Sequence, residues 1–265
     1  MSAITLLCLV WVLAALAMTW GWRWQLHRHN AGIVDVLWAG GLAGAAVLMA
    51  LLAPGDALHR TATGALGAIW GGRLAAHLWR RVGSEVEDGR YRYLRAHWQN
   101  SQLKFFGFFQ LQAGLIVLFS LPFLAAACNA QSRPAWLIAG VGIWIVSVTG
   151  EAIADRQLAA FRAVPAHRGK TCQRGLWRYS RHPNYFFEWL HWFAYVALAI
   201  GSPLAWLAWS GPVLMYVFLR WISGIPFTEA QALRSRGEDY RRYQQSTPML
   251  FPWFPKHLPE KGLRT

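Results

Sequence analysis

The sequence predicts an all-α, polytopic membrane protein of about seven transmembrane helices, and three observations predict it. The composition is apolar: 55% of the 265 residues are hydrophobic and 14% charged, against about 25% charged in an ordinary soluble domain. Seven apolar runs are each long enough, at roughly 17 to 25 residues, to cross the hydrocarbon core as helices. The basic residues are distributed between the loops as the positive-inside rule requires. Seventeen Trp and 12 Pro fit the same solvent, because indoles favour the headgroup level and neighbouring helices repair a proline's lost hydrogen bond.

In chain order the predicted spans are 4–22, 32–53, 61–80, 105–127, 135–155, 184–200 and 203–221. The first reads as a span rather than a cleaved signal peptide. Ala15-Leu16-Ala17 is similar to a cleavage site, but Met1 to Leu7 carries no basic residue and the apolar run is long. Gly201-Ser202-Pro203 leaves room only for a helical hairpin between the last two spans. Twenty-two of the 26 Lys and Arg fall in the loops 23–31, 80–104 and 156–182 and in the tail after Trp221. Arg60 and Arg133 alone lie on the other side, while Arg73 and Arg220 fall within spans. The N-terminus is therefore expected outside and the C-terminus in the cytoplasm. No repeat or low-complexity segment is evident, so 1–265 reads as a single integral membrane domain, with 156–182 and 222–265 as its cytoplasmic loop and tail.

The formal charge of +14 and pI near 10.5 would suggest nucleic acid in a soluble protein. Here the same residues orient spans and touch anionic lipid, and no basic module stands apart from the apolar runs. Cys8, Cys128 and Cys172 are odd in number and widely spaced, with no CxxC and no nearby His pair. They predict neither a disulfide framework nor a metal site.

Charged side chains within spans are costly and mark polar cavities. Asp35 lies a turn into the second span; Arg73 and His77 are one turn apart on the third, with Arg80 or Arg81 continuing that face. Glu151 and Asp155 end the fifth span, Asn184 and Glu188 open the sixth, and Arg220 closes the seventh. All fall in the cytoplasmic half, so they are expected to converge on one cavity opening to the cytoplasm. Simple pairing, Asp35 with Arg73 for example, is the competing explanation for any one of them.

The densest polar chemistry is Arg174 to Glu188. Arg178, Arg181 and His182 supply donors suited to phosphate, Pro183 suits the first turn of a helix, and Asn184 with Tyr185 can bond an amide or a ribose. A helix N-terminus there adds its own attraction for anions.

The string Gly175-Leu176-Trp177-Arg178-Tyr179-Ser180-Arg181-His182-Pro183-Asn184-Tyr185 resembles the signature of the membrane reductases related to steroid 5α-reductases and to sterol C14 and C7 reductases. It is most similar to their bacterial branch. Asn30 to Trp38, Gly72-Arg73-Leu74 with His77, Glu151 to Asp155 and Glu229 to Trp253 extend the resemblance over most of the chain. It implies NADPH as cofactor, held by the last helices and their loops. Carried over by position, Glu151, Asp155, Arg162, Tyr179, Arg181, His182, Asn184, Tyr185 and Glu188 would contact the cofactor. The tail Glu229, Arg234, Arg236, Asp239, Tyr240 and Tyr243 would close over the nucleotide, with Arg73 and Arg81 near its phosphates. No GxGxxG follows a strand, so no Rossmann fold is implied.

The reaction so implied is hydride transfer to the β-carbon of a polarised C=C bond in a lipophilic substrate. That chemistry needs a donor where negative charge develops on the carbonyl oxygen, and a carboxylic acid in a dry site keeps its proton. Asp35 is the expected catalytic acid, about where the steroid reductases place a glutamate. Those enzymes also have a Gln before the glutamate and a partnering tyrosine on the next helix, whereas here Val34 precedes Asp35 and the corresponding stretch offers Trp70. Phe187 stands where relatives commonly have Gly.

Isoprenylcysteine and phospholipid methyltransferases share the broad architecture and an Arg-His-Pro loop, which makes an S-adenosylmethionine site the alternative. Asn184 after the proline, Asp155 with Arg162 and the long aromatic tail favour NADPH. A transporter is the third class, although no repeated halves are evident. Expected partners are a lipophilic small molecule and membrane lipid, with no nucleic acid and no obligate protein partner; the resemblance implies the bacterial inner membrane.

Overall fold

The first helix starts where Ser2 caps it, its hydroxyl accepting from the Thr5 N–H at 3.1 Å. A computed structural model describes residues 1–131 and 133–256, and among these every regular element is helical. The chain divides into two units, Met1–Val141 with Ala194–Gly211, and Gly142–Phe193 with Pro212–Thr265.

The first unit contains α1 (Ala3–Arg28), α2 (Ile33–Leu52), α3 (Ala57–Ser84), α4 (Gly89–His97) and α5 (Gln102–Ala127). Leu6, Val10, Ala14, Met18, Gly21 and Gln25, three or four residues apart, form the buried seam of α1. Trp11, Leu13, Leu16 and Trp20 on its other faces are exposed. A helix that is apolar on the surface it does not bury has lipid as its solvent.

α2 and α3 meet through small residues. Gly64, Gly67 and Gly71 of α3 lie against Ala50, Ala46 and Ala39 of α2; a Cβ at Gly64 would come within 2.5 Å of Ala50, and one at Gly71 within 2.8 Å of the Ala39 carbonyl oxygen. Such spacing lets membrane helices bring their backbones together. Arg60 closes α2, donating from Nε to the Ala50 carbonyl at 2.7 Å and from Nη2 to that of Leu51 at 2.9 Å. These are carbonyls the helix end leaves without partners. α5 buries Phe105, Phe109, Ala113, Ile116, Phe119 and Phe123 on one face. Just past its end, Asn129 donates to the carbonyls of Leu198 and Ile200 at 2.9 and 3.0 Å.

Among the described residues, four helices are long and apolar enough to cross a membrane: α1, α2, α5 and α6 (Pro134–Ala163). The other three expected spans differ for physical reasons. α3 carries Arg60, Arg73, Arg80 and Arg81 along its length. α7 (Pro183–Leu198) has 16 residues, about 24 Å of helix. The region 203–221 is divided into a 3₁₀ segment (Ala205–Trp209), α8 (Ser210–Val217) and a π-helical turn (Phe218–Ile222), so a longer connection replaces the expected tight hairpin. α4 is an element that the spans read from the sequence do not include; it lies within the 80–104 loop, capped by Asp88, whose carboxylate accepts from the Arg90 N–H at 2.9 Å.

The second unit holds most of α6 and α7, then α9 (Ile225–Arg236) and α10 (Glu238–Ser246). The last two are joined at Gly237, whose φ of 52° suits a residue without a Cβ. Ala232, Tyr240 and Tyr243 bury against one another with Leu233 beside them.

Candidate functional site

In the first unit the polar focus is Asp35, in the first turn of α2. Its Oδ1 accepts from the Tyr91 hydroxyl at 2.7 Å and its Oδ2 from Arg90 Nη2 at 3.1 Å. Arg90 also donates from Nε to Asp88 at 3.2 Å, so one guanidinium joins two carboxylates. Burial opposes the charge on Arg90, yet Asp35 and Asp88 outweigh it and push the group up. Burial first, and the Asp35 charge second, raise the Tyr91 hydroxyl well above its ordinary value; it keeps its proton at neutral pH. The pairing partner of Asp35 is thus Arg90, not Arg73. A tyrosine partner of Asp35, Tyr91, comes from α4.

The segment from Val82 to Arg95 holds this cluster in register. Glu87 accepts from the Ala31 N–H at 2.8 Å and from Arg95 Nη2 at 2.8 Å, and Asn30 donates to the Val82 carbonyl at 3.3 Å. The conformation of the residues leading into α2 therefore depends on a segment more than fifty residues away. Arg81 reaches Glu85 and Asp88 only at 3.5 Å, and Arg73 is exposed on α3.

Beside the cluster in sequence, Val36 and Leu37 begin the lining of a cavity of about 410 Å³. It runs along Gly40, Gly41, Gly44 and Leu48 of α2, against Val10 and Ala14 of α1 and Ile116 of α5, and no lining residue is polar. That volume lies within the range of small-molecule sites, roughly 300 to 1,000 Å³. The glycines make the room, since a Cβ at Gly44 would meet nothing within 4 Å.

In the second unit the focus is Glu229 on α9. It accepts from Arg181 Nε at 2.7 Å, Gln244 Nε2 at 2.9 Å and the Tyr240 hydroxyl at 3.3 Å, with His182 Nε2 at 3.2 Å. Burial alone would raise this carboxyl; the hydrogen bonds from His182 and Arg181, the Arg181 charge and the Gln244 amide hold it down to about 2. Burial pushes His182 below the usual histidine range despite Glu229, which pulls the other way. Arg181 further donates from Nη1 to the carbonyls of Gln244 and Thr247 at the end of α10, at 3.0 and 2.9 Å. Arg181 Nε and Nη1 and His182 Nε2 are therefore engaged within the protein, fastening α9 and α10 to the loop before α7. Tyr243 completes the fastening, its hydroxyl donating to the carbonyls of Trp177 and Ser180.

Around this clasp the unit presents groups of a different kind. Asn184 Nδ2 donates to Asp155 Oδ1 at 3.1 Å, joining α7 to α6 at an exposed position. Tyr185 stacks on His182 with centroids 5.4 Å apart and meets the Thr228 hydroxyl at 3.2 Å. Asp239 accepts from the Thr171 N–H at 2.7 Å, while the buried Thr171 hydroxyl has no partner among the described residues. Burial and the positive charge of Arg162 both lower Arg236; neither arginine makes an ion pair among the described residues. Arg234 and Tyr179 are exposed, and Glu151 and Glu188 half-buried. Phe187 lies over Gly150, where a Cβ would come within 2.5 Å of its ring. The missing side chain of Gly150 on α6 makes space for the ring.

Sequence reasoning missed Arg90, Tyr91 and Gln244. Glu87-Asp88-Gly89 is the cap and turn signal that could have revealed α4. Gln244 carries no such signal.

No curated protein and no solved structure matches the chain. The profile of one family, described as "Protein of unknown function (DUF1295)", matches residues 6–247, a stretch that includes Asp35, Arg90, Tyr91, the loop before α7 and the Glu229 clasp. On that match over most of its length, the chain belongs to the DUF1295 family.

Proposed function

We propose that this protein is an NADPH-dependent membrane oxidoreductase that reduces an activated C=C bond, enone-like, in a lipophilic substrate of steroid or isoprenoid type. The observation that carries the reading is Asp35, hydrogen-bonded to Tyr91, on the helix whose next residues line a wholly apolar cavity. An apolar chamber of this size suits a lipophilic molecule. In this reading the protein crosses the bilayer seven times, with the N-terminus outside and the basic C-terminal side in the cytoplasm.

The residues of the second unit suit a phosphorylated dinucleotide. Arg162 and Arg236 repel each other and make no ion pair among the described residues, Asp239 only partly offsetting the charge at Arg236, an arrangement an anion would relieve. Asn184 and Asp155 offer an amide and a carboxylate for a ribose or carboxamide. When bound, the nicotinamide supplies the hydride. Tyr91 carries the proton it donates to Asp35 across 2.7 Å, and its hydroxyl would turn to the carbonyl oxygen as charge develops there, with Asp35 as the positioning acceptor. Arg90 fixes the Asp35 carboxyl in place, and the glycine-lined cavity keeps water from the reacting bond.

The test is incubation of the purified protein in lipid with NADPH and a panel of enones and lipid extracts, following loss of nicotinamide absorbance and product mass. A product two hydrogens heavier, formed only with NADPH, is expected. NADPH consumption with no reduced product anywhere in the panel counts against the substrate class, and no consumption at all counts against the reaction.

A further inference from the structure

The chain from Thr247 to Lys256 is an irregular loop with neither helix nor strand, and its backbone is pinned to the loop before α7. Pro248 O accepts from the Arg181 N–H at 2.9 Å, Leu250 O from the Ser180 hydroxyl at 2.8 Å, and Tyr179 O from the Trp253 N–H at 2.9 Å. Lys256 N–H returns to Ser246 O at 2.7 Å. On this fixed backbone Trp253 and Phe254 are 72% and 71% exposed. Ordering a segment costs conformational entropy, and holding two large rings in water adds a solvation penalty. A pinned strap that presents both outward is accounted for by a medium that receives them.

The depth of the strap identifies that medium. The loop that holds it hangs on α6: Trp177 Nε1 donates to Ala154 O at 2.8 Å, and Leu176 N–H to Gln157 Oε1 at 2.9 Å. There α6 passes from its apolar stretch to Asp155, Arg156 and Arg162, the point at which a span leaves hydrocarbon. Phe254 sits edge-on to Tyr179 at 5.9 Å, and the bases Arg178 and Lys256 flank the aromatic group, both exposed. Trp, Tyr and basic residues together are the composition of the headgroup level. A second copy fits less well, because Pro248, Pro252 and Pro255 remove donors an intermolecular strand would need.

We propose that Trp253 and Phe254 form an interfacial anchor seated in the headgroup layer of the bilayer that α6 enters, with Arg178 and Lys256 beside lipid phosphates. The anchor stands independently of the reductase reading. Its test uses the full chain carrying Cys8→Ser and Cys128→Ser, with buried Cys172 left in place and an environment-sensitive fluorophore attached through Lys256→Cys. In liposomes containing anionic lipid the emission shifts to the blue relative to the same fluorophore on free cysteine in buffer, and shallow doxyl-labelled lipids quench it more than deep ones. Trp253→Ser with Phe254→Ser removes that quenching, whereas Trp253→Tyr retains it. Absence of quenching in the parent labelled protein overturns the proposal whether or not the double variant folds. So does unaltered quenching in a folded double variant, or cross-linking between copies through the introduced thiol in place of quenching.

Discussion

Asp35 and Glu229 are both carboxylates held by an arginine and a tyrosine, and their surroundings assign them different work. Glu229 has donors from Arg181, His182, Tyr240 and Gln244, all within its own unit. With its lone pairs so occupied, it is a fastening. Asp35 has two donors, Arg90 and Tyr91, and sits on the helix whose next residues line an apolar cavity. A carboxylate can accept about four hydrogen bonds, so Asp35 retains capacity for a further donor. The difference teaches that an acid in a dense polar motif is not thereby the reactive one.

Substitutions at the two acids should therefore separate activity from stability. Asp35→Asn is expected to lower turnover by about 10² to 10³, with unfolding stability and NADPH affinity little changed; steady-state kinetics beside a thermal melt would show both. Glu229→Ala strands Arg181 and His182, and breaking a buried pair of this kind costs about 3 kcal/mol, to be read from denaturant unfolding in mixed micelles. A Glu229 variant of full stability would remove the contrast.

Acid should reach the clasp before it reaches the rest of the second unit. Both shifts are downward: His182 lies below the ordinary 6.5, and Glu229 is held at about 2 against 4.5. For a lowered group, stability is complete above the unfolded value and is lost as pH falls through the folded one. Loss should begin below pH 6.5 with His182 and continue between 4.5 and 2 with Glu229. The Glu229 part is about 2 kcal/mol once partial solvent screening is discounted. Hydrogen exchange of α9 and α10 across this range measures it, and pH-independent protection would contradict the assignment. The smallest effect is expected from Tyr91→Phe, about tenfold in turnover or 1.4 kcal/mol, with the melting temperature nearly unchanged.

Much of this contrast was legible in the sequence, and the illegible part has a common cause. Apolar runs marked α1, α2, α5 and α6, because length and composition alone decide whether a helix suits lipid. Asp35 stood out as a charge in such a run, and the loop from Arg174 to Glu188 by its density of donors. What composition cannot supply is the pairing of distant segments. Tyr91 is 56 residues from Asp35 and Gln244 is 15 from Glu229. Arg181 read as a phosphate ligand because its chemistry fits phosphate; the carbonyls of Gln244 and Thr247 to which its Nη1 also donates are backbone groups that any sequence contains.

The most direct test of the functional account is ligand-dependent thermal stability of the detergent-purified protein, with Asn184→Ala and Glu188→Ala variants alongside. Binding to the native state alone raises the melting temperature by mass action. NADPH should raise it in the wild-type protein and raise it less in both variants, while S-adenosylmethionine leaves it unmoved. Stabilisation by S-adenosylmethionine in place of NADPH, or an equal NADPH effect in the wild type and both variants, would contradict the account.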